Sequence, residues 1–451
     1  MARFDMIVIG TGVAGRTAAE EGVAAGLSVA LADCRPFGGT CALRGCEPKK
    51  VLFAAAETVR RAQGQAGHGV AGDTRLDWAE LVAFKRRFTV PLPEDFEREF
   101  AELGVVKLHG VARFVGPDAI EVDGETHRAD AFLVAPGAHP APLGIRGEQF
   151  VVDSERLMDL EELPRRIVFA GGGFISFELA GIVAAAGSHC TILHRSALPL
   201  REFDHDLVGL LIAQYATEGI EVRTNAPVSG VEREEVAPGS GDAAFTVTLA
   251  DGSRVPADLV VHGAGRVPDL DALELAAADV EFGPHGIAVD DGLRSTTNAR
   301  VWAAGDGAAL GPALTPVGVA QARVAVRNIS GRGPATFDPR VIPTALFSQP
   351  PLAKVGLSEQ AARDAGHDVE VRLTDTSGWL SAQRVGLTHA GAKLLLDRAT
   401  GRLLGAHVLG HNAEEFINLF ALAISQGLTA DDLKTVLWAY PTATSEVVYL
   451  L

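Results

Sequence analysis

The chain opens on a nearly unbroken apolar run, residues 4–9, followed by Gly10-Thr11-Gly12-Val13-Ala14-Gly15 and then by an Ala-rich stretch with helical spacing over 16–25. A second apolar run covers 27–32 and ends at Asp33. Continuous short apolar runs mark strands buried on both faces. The pattern therefore predicts strand, glycine turn, helix, strand and acid. Glycines at this spacing let backbone approach a pyrophosphate at a helix N-terminus, and Asp33, 23 residues after Gly10, is placed for a ribose hydroxyl. The arrangement returns mid-chain: a strand at 167–170, the turn Gly171-Gly172-Gly173-Phe174-Ile175-Ser176, a helix at 177–186 and a strand at 190–193. Ser176 takes the third glycine position, and the residue 23 after Gly171 is His194 in place of an acid. Two such units predict two bound dinucleotides with electrons passing between them.

Between these units, 73–104 reads as charged helix and 111–134 as β-hairpins. From about residue 341 the pattern changes to strands at 393–396 and 403–409 and amphipathic helices at 414–426 and 431–437. That is a separate α+β domain, with 331–334 (Gly-Arg-Gly-Pro) as the linker into it. At 451 residues the chain has room for about three domains, and 47% hydrophobic residues suffice for their cores. The 40 basic residues against 57 acidic ones give −17, which excludes nucleic acid or an anionic membrane as a partner on overall charge but leaves room for a local phosphate pocket. The N-terminus has no basic, apolar leader pattern, and no stretch offers about 18 uninterrupted apolar residues, so a cytoplasmic protein without a membrane span is expected.

Four cysteines, Cys34, Cys41, Cys46 and Cys190, are too few for a disulfide scaffold. Cys41 and Cys46, five apart in Gly38-Gly39-Thr40-Cys41-Ala42-Leu43-Arg44-Gly45-Cys46-Glu47-Pro48-Lys49-Lys50, read as a dithiol beside a cofactor. A helix starting near Cys41 would favour its thiolate. Cys34 and Cys190 read as buried small hydrophobes, and no metal site is expected.

The 38–50 stretch resembles the redox-active disulfide segment of the FAD-dependent pyridine nucleotide-disulfide oxidoreductases, the family of glutathione reductase, dihydrolipoamide dehydrogenase and mercuric reductase. The resemblance covers essentially the whole chain. Residues 297–306, ending in Gly305-Asp306, resemble the second FAD motif, whose aspartate holds the ribityl chain. Leu314-Thr315-Pro316-Val317 resembles the start of the helix facing the flavin pyrimidine, and 347–356 the opening of the dimerisation domain. The implied fold is α/β, with two Rossmann-like dinucleotide-binding domains and a C-terminal α+β dimerisation domain. The implied division is FAD-binding at 1–140, NAD(P)-binding at 141–266, an FAD-binding or central return segment at 267–338, and dimerisation at 339–451.

The resemblance implies a homodimer in which a reduced nicotinamide gives hydride to FAD, and two electrons pass on to a Cys41–Cys46 disulfide and then to a small-molecule acceptor. Gly10, Gly12, Gly15, Asp33, Gly39, Thr40, Asp306 and Thr315 would hold FAD, and Gly171, Gly173, Phe174, Arg195 and Arg201 the nicotinamide dinucleotide. Cys46 would be the thiol against the flavin and Cys41 the one meeting the acceptor. Lys49 and Glu178 would form an ion pair near flavin N5, the alternative being solvated helix charges. Phe174 takes the position of a gating tyrosine, as an aromatic lid or as ordinary core. His194, Arg195 and Arg201 in place of a terminal acid favour NADPH over NADH, because arginines bind a 2′-phosphate that an acid repels.

The chain departs from the family near its end. A His-Pro followed by Glu serves the disulfide reductases as an acid-base dyad; here Tyr440-Pro441 and Ser445 occupy those positions, with Glu446 one residue off register. An ordinary phenol titrates near ~10 where imidazole titrates near ~6.5, so tyrosine is a poor base at neutral pH. His411 is the nearby candidate to intervene. Val13 and Glu20 replace the serine and arginine that receive glutathione, leaving Arg323, which argues against glutathione disulfide. The terminal vicinal cysteines of mercuric reductases are missing as well. The sequence thus supports an NADPH-dependent flavoenzyme of disulfide reductase type. The alternatives are a metal-ion or quinone reductase using the flavin directly, or a redox-sensing flavoprotein.

Overall fold

The computed structural model describes residues 3–235 and 240–451. They form two compact units, one of 1–50, 83–141 and 266–339, the other of 51–82, 142–265 and 340–451.

In the first unit, the strand Arg3–Ile9 pairs in parallel with Val29–Asp33 on one side and Glu125–Val134 on the other; Val106–His109 and Val301–Ala303 extend the parallel sheet. Arg113–Gly116 and Ala119–Val122 join by antiparallel hairpins, completing seven strands. Met6, Ile7 and Val8 are fully buried, which is why the first strand reads as a continuous apolar run. The turn after it demands glycine. Gly10 has φ +101°, and a Cβ there would stand 2.1 Å from the Ala135 carbonyl oxygen. The helix Val13–Ala24 begins three residues earlier than periodicity placed it, at the turn itself.

In the second unit, five parallel strands run in the order Glu221–Arg223, His189–Leu193, Arg166–Ala170, Leu259–His262 and Val151–Val152. The helix Phe174–Ala185 packs into a core with Phe169 and Tyr215, whose hydroxyl donates to the Phe177 carbonyl at 2.7 Å. The C-terminal part is a five-stranded antiparallel sheet holding Gly391–Asp397 and Leu403–Leu409, with the helix Ala413–Ser425 against it. The second expected helix there is only Ala430–Lys434. Val436 and Leu437 beyond it are exposed, so no buried face repays another turn. Among the described residues no helix is long and apolar enough to cross a membrane.

Candidate active site

Two helices, not one, present the cysteines. Gly39–Arg44 carries Cys41; the backbone breaks at Gly45, and Cys46 is the first residue of the 19-residue helix Cys46–Gly64. The expected helix start near Cys41 is present at Gly39, but that helix is six residues long; the free amides and positive end of the 19-residue helix belong to Cys46. Both are free thiols. Cys46 is drawn down to about 6, first by the hydrogen bond Cys41 gives it, against its burial, and then by Lys49, Thr315 and Lys50. Cys41 is pushed far above the ordinary thiol range by that same bond and by burial. At neutral pH the pair is thus a Cys41 thiol donating to a Cys46 thiolate.

Thr315, at the start of the helix Thr315–Ile329, donates from Oγ1 to Cys41 Sγ at 3.3 Å and lies 3.8 Å from Cys46 Sγ. The sequence assigned this threonine to the cofactor alone. Its hydroxyl partners both sulfurs across more than 260 residues of chain, which no local pattern signals. Thr315→Val is expected to raise the Cys46 midpoint above about 6 by less than about one pH unit, because it removes a hydroxyl that lies 3.8 Å from the sulfur and favours its thiolate. A thiolate-absorbance titration of the reduced protein reads this directly.

Around the dithiol, Asp33 ends its strand and closes the first glycine turn. Its Oδ2 accepts from the Thr11 amide at 2.8 Å and the Thr11 hydroxyl at 2.6 Å, and its Oδ1 from the Arg35 amide at 2.9 Å. Gly12 N-caps the helix that contains Gly15. Gly39 (φ +70°) packs backbone to backbone on Gly12, since a Cβ there would come within 2.3 Å of the Gly12 Cα. Thr40 follows, half-buried, beside Cys41. Asp306 accepts no hydrogen bond from protein among the described residues; burial raises its carboxyl above the usual range, opposed by Arg266. Such a carboxylate is a ready acceptor for a ligand hydroxyl. Lys49, one turn into the long helix, is buried.

The second glycine turn, in the other unit, repeats the first with one change. The Gly172 amide donates to His194 Nδ1 at 3.2 Å, the bond Thr11 gives Asp33 in the first turn. His194 Nε2 lies 2.9 Å from the Leu198 carbonyl and so carries the ring proton. Burial, outweighing that bond, lowers its pKa, with Arg195 and Arg201 adding to the effect. A neutral ring thus replaces an anion. Arg195 and Arg201 are exposed and form no ion pair among the described residues. Gly171 and Gly173 bracket the turn, and Gly173 N-caps the next helix. Phe174, its first residue, is 50% exposed, which removes the core reading. Glu178 is buried and accepts from the Phe347 amide at 2.8 Å.

At the C-terminus Tyr440 is 80% exposed and precedes a cis proline. It lines a cavity of about 370 Å³ with Trp379, Arg384, Glu446 and Tyr449. Neither dyad substitute is free. Ser445 donates from its hydroxyl to the Thr442 carbonyl at 2.7 Å, and Glu446 accepts from the amide and hydroxyl of Ser381. His411 is excluded as a base: burial and Arg61, whose Nη2 lies 3.1 Å from its Nδ1, bring it down to about 4. Cys34 is exposed, not buried as expected, because its strand ends at Asp33; burial of its sulfur and the Asp33 charge raise its pKa. Cys190 is buried and pushed up to about 12 by desolvation.

Residues 4–322 match the family described as pyridine nucleotide-disulphide oxidoreductase, and residues 342–451 the dimerisation domain of the same family. The chain is 33% identical to a glutathione reductase of Burkholderia cepacia, over 99% of this chain and 98% of that protein. It is 33% identical to a dihydrolipoyl dehydrogenase of Thermus scotoductus, over 98% and 95%. Among solved structures, the Cu(II) complex of the HOCl-induced flavoprotein disulfide reductase RclA from Escherichia coli matches with a TM-score of 0.89 at 25% identity, covering 100% of this chain and 99% of that one.

Proposed function

Because the chain belongs to the pyridine nucleotide-disulphide oxidoreductase family, we propose that it is a homodimeric, cytoplasmic FAD enzyme carrying two electrons from NADPH to a Cys41–Cys46 disulfide and on to a small-molecule acceptor. The observation that carries this reading is the pair of free cysteines gathered at Thr315, whose hydroxyl lies 3.3 Å from Cys41 Sγ and 3.8 Å from Cys46 Sγ. FAD is the family's prosthetic group, and the residues fit it: beside the tight turn at Gly10, Gly12 leaves room where a Cβ would stand, and among the described residues the Asp306 carboxylate accepts no hydrogen bond and is left for a ligand hydroxyl. Bound there, FAD would supply two-electron transfer between the nucleotide and the dithiol. We assign its binding to 1–140 and 267–338, the nucleotide to 141–266 and dimerisation to 339–451.

The proton count follows from the two cysteines. A hydride equivalent brings two electrons and one proton, and the disulfide it reduces becomes one thiol and one thiolate. That is the state the pair favours, so reduction of the enzyme needs no separate base. Only the oxidative half, in which Cys41 meets the acceptor, would call on a dyad, and here Tyr440 stands in the histidine's place. The exposed phenol can donate a hydrogen bond to an acceptor, but a phenol in the histidine's place is poorly suited to take the proton of Cys41 as it attacks. In this reading Lys49 and Glu178 set the charge near flavin N5, Phe174 covers the nicotinamide pocket, and Arg195 and Arg201 take the 2′-phosphate beside neutral His194.

Direct reduction of a metal ion or quinone is the second reading, favoured by the same exposed Tyr440 and occupied dyad substitutes. Anaerobic titration with NADPH decides between them. A long-wavelength thiolate-to-flavin band at two electrons, fading as pH falls through about 6, is expected if Cys46 lies against the flavin. A fully bleached flavin at two electrons, without that band at any pH, would overturn the dithiol route.

A further inference from the structure

The nucleotide arginines lie on a loop whose far end is tied down by a residue nearly 200 positions later. Lys393, in the C-terminal strand Gly391–Asp397, is only 6% exposed, yet it is a charged residue inside a sheet. Its Nζ lies 2.9 Å from Asp204 Oδ2, 2.8 Å from Asp206 Oδ2 and 3.4 Å from Glu359 Oε2. Burial works against this ammonium, but Asp206 and Asp204 more than restore it, so its pKa is raised. Asp204 is equally enclosed, and it also caps the helix His205–Thr217, accepting from the Asp206 and Leu207 amides.

Arg201 is three residues before Asp204. On its other side, the Leu200 amide donates to the Gly172 carbonyl at 3.1 Å, inside the second glycine turn. Between these anchors, Phe203 is buried under Lys354, whose Nζ is 5.6 Å from the ring centroid and 3.6 Å from Glu202. The backbone on both sides of Arg201 is therefore fixed, once to the turn and once to the C-terminal sheet. Without Lys393, three carboxylates would face one another and a buried Asp204 would lose its cation, so the 202–206 segment could not keep this path.

We infer that Lys393 is a positioning residue for nucleotide recognition, holding the Arg201 loop in the register that meets a 2′-phosphate. The inference rests on the NADPH reading of Arg195 and Arg201. It predicts a selective effect, because NADH makes no call on the loop's guanidinium groups and a planar fork binds phosphate well only at the right angle.

The test uses the FAD-loaded enzyme with Lys393→Met, Lys393→Arg, Asp206→Asn and Arg201→Ala, each checked for native flavin absorbance. Lys393→Met is expected to raise KM for NADPH about tenfold while leaving kcat and KM for NADH within about twofold. Lys393→Arg should recover most of the loss. Asp206→Asn, which removes one arm and keeps the cap, should show a smaller shift of the same kind and serves alone if Lys393→Met does not fold. In the Arg201→Ala background, Lys393→Met should change the NADPH-to-NADH ratio no further. Equal effects on both nucleotides, or none, with Arg201→Ala still costing NADPH selectively, would overturn the positioning role and leave the NADPH reading intact. No selective cost in Arg201→Ala or Arg195→Ala would overturn both.

Discussion

Cys46→Ser is expected to lower kcat/KM for a disulfide acceptor by about three orders of magnitude or more, because the serine cannot supply the anion that the site is built around. The argument is electrostatic. Every group at the site that favours an anion acts on the Cys46 sulfur: the Cys41 hydrogen bond, Lys49, Thr315, Lys50 and the first amides of the helix Cys46–Gly64. A serine hydroxyl there stays neutral, and Cys41 loses the partner that its proton serves. Cys41 alone cannot take over, because with serine at 46 no Cys41–Cys46 disulfide can form to carry the two electrons. Cys41→Ser should fail differently, losing disulfide turnover while keeping an anionic Cys46 and its absorbance band. Steady-state assays of both variants with a disulfide, a quinone and a metal ion separate the two routes. Turnover of every acceptor at the parental rate in Cys46→Ser would sink the dithiol mechanism; loss with disulfides alone would assign the other acceptors to the flavin.

The next largest effect is expected at the second nucleotide site. Arg195→Ala should raise KM for NADPH about 10- to 100-fold and KM for NADH less than about twofold, since a charge-assisted hydrogen bond to phosphate contributes about 1.5–3 kcal/mol and ~1.4 kcal/mol is a factor of ten. Both arginines are exposed and without ion pairs among the described residues, so neither must break a protein contact to reach a ligand. His194 supplies the complementary condition. It holds the Gly172 amide as Asp33 holds that of Thr11, but as a neutral ring, so the turn keeps its shape without an anion facing the ribose. Raising the salt concentration should narrow the NADPH advantage, because exposed charges are screened. Equal KM changes for the two nucleotides in Arg195→Ala would refute the phosphate role.

The parts of this molecule that were legible in its sequence are those written locally. The two glycine turns could be read because the strand, the turn and the helix after it lie within 25 residues, and Gly10 can be nothing but glycine beside the Ala135 carbonyl. The dithiol could be read from its spacing, but its polarity could not. The break at Gly45 puts Cys46 at the head of the long helix, and the four residues between the cysteines do not tell how far either helix runs. Thr315 and Lys393 were invisible as partners for the opposite reason: each acts on residues far away in the chain. A lone lysine among Ala392, Leu394 and Leu395 reads as an outward-facing strand position, and only the approach of Asp204 and Asp206 reveals an enclosed charge. The same limit applied to His411, where Arg61 and burial remove the basicity that its position suggested.

The four cysteines also divide sharply in their ionisation. Cys34, Cys41 and Cys190 are all shifted upward and Cys46 alone downward, to about 6. At neutral pH Cys46 is therefore the thiolate of the reduced chain and its strongest nucleophile, although Cys34 is an exposed residue as well. An alkylating or arylating toxicant small enough to reach Cys46 would modify the residue that turnover regenerates in its most nucleophilic form, so the chain would be more open to such attack when its supply of reductant is greatest.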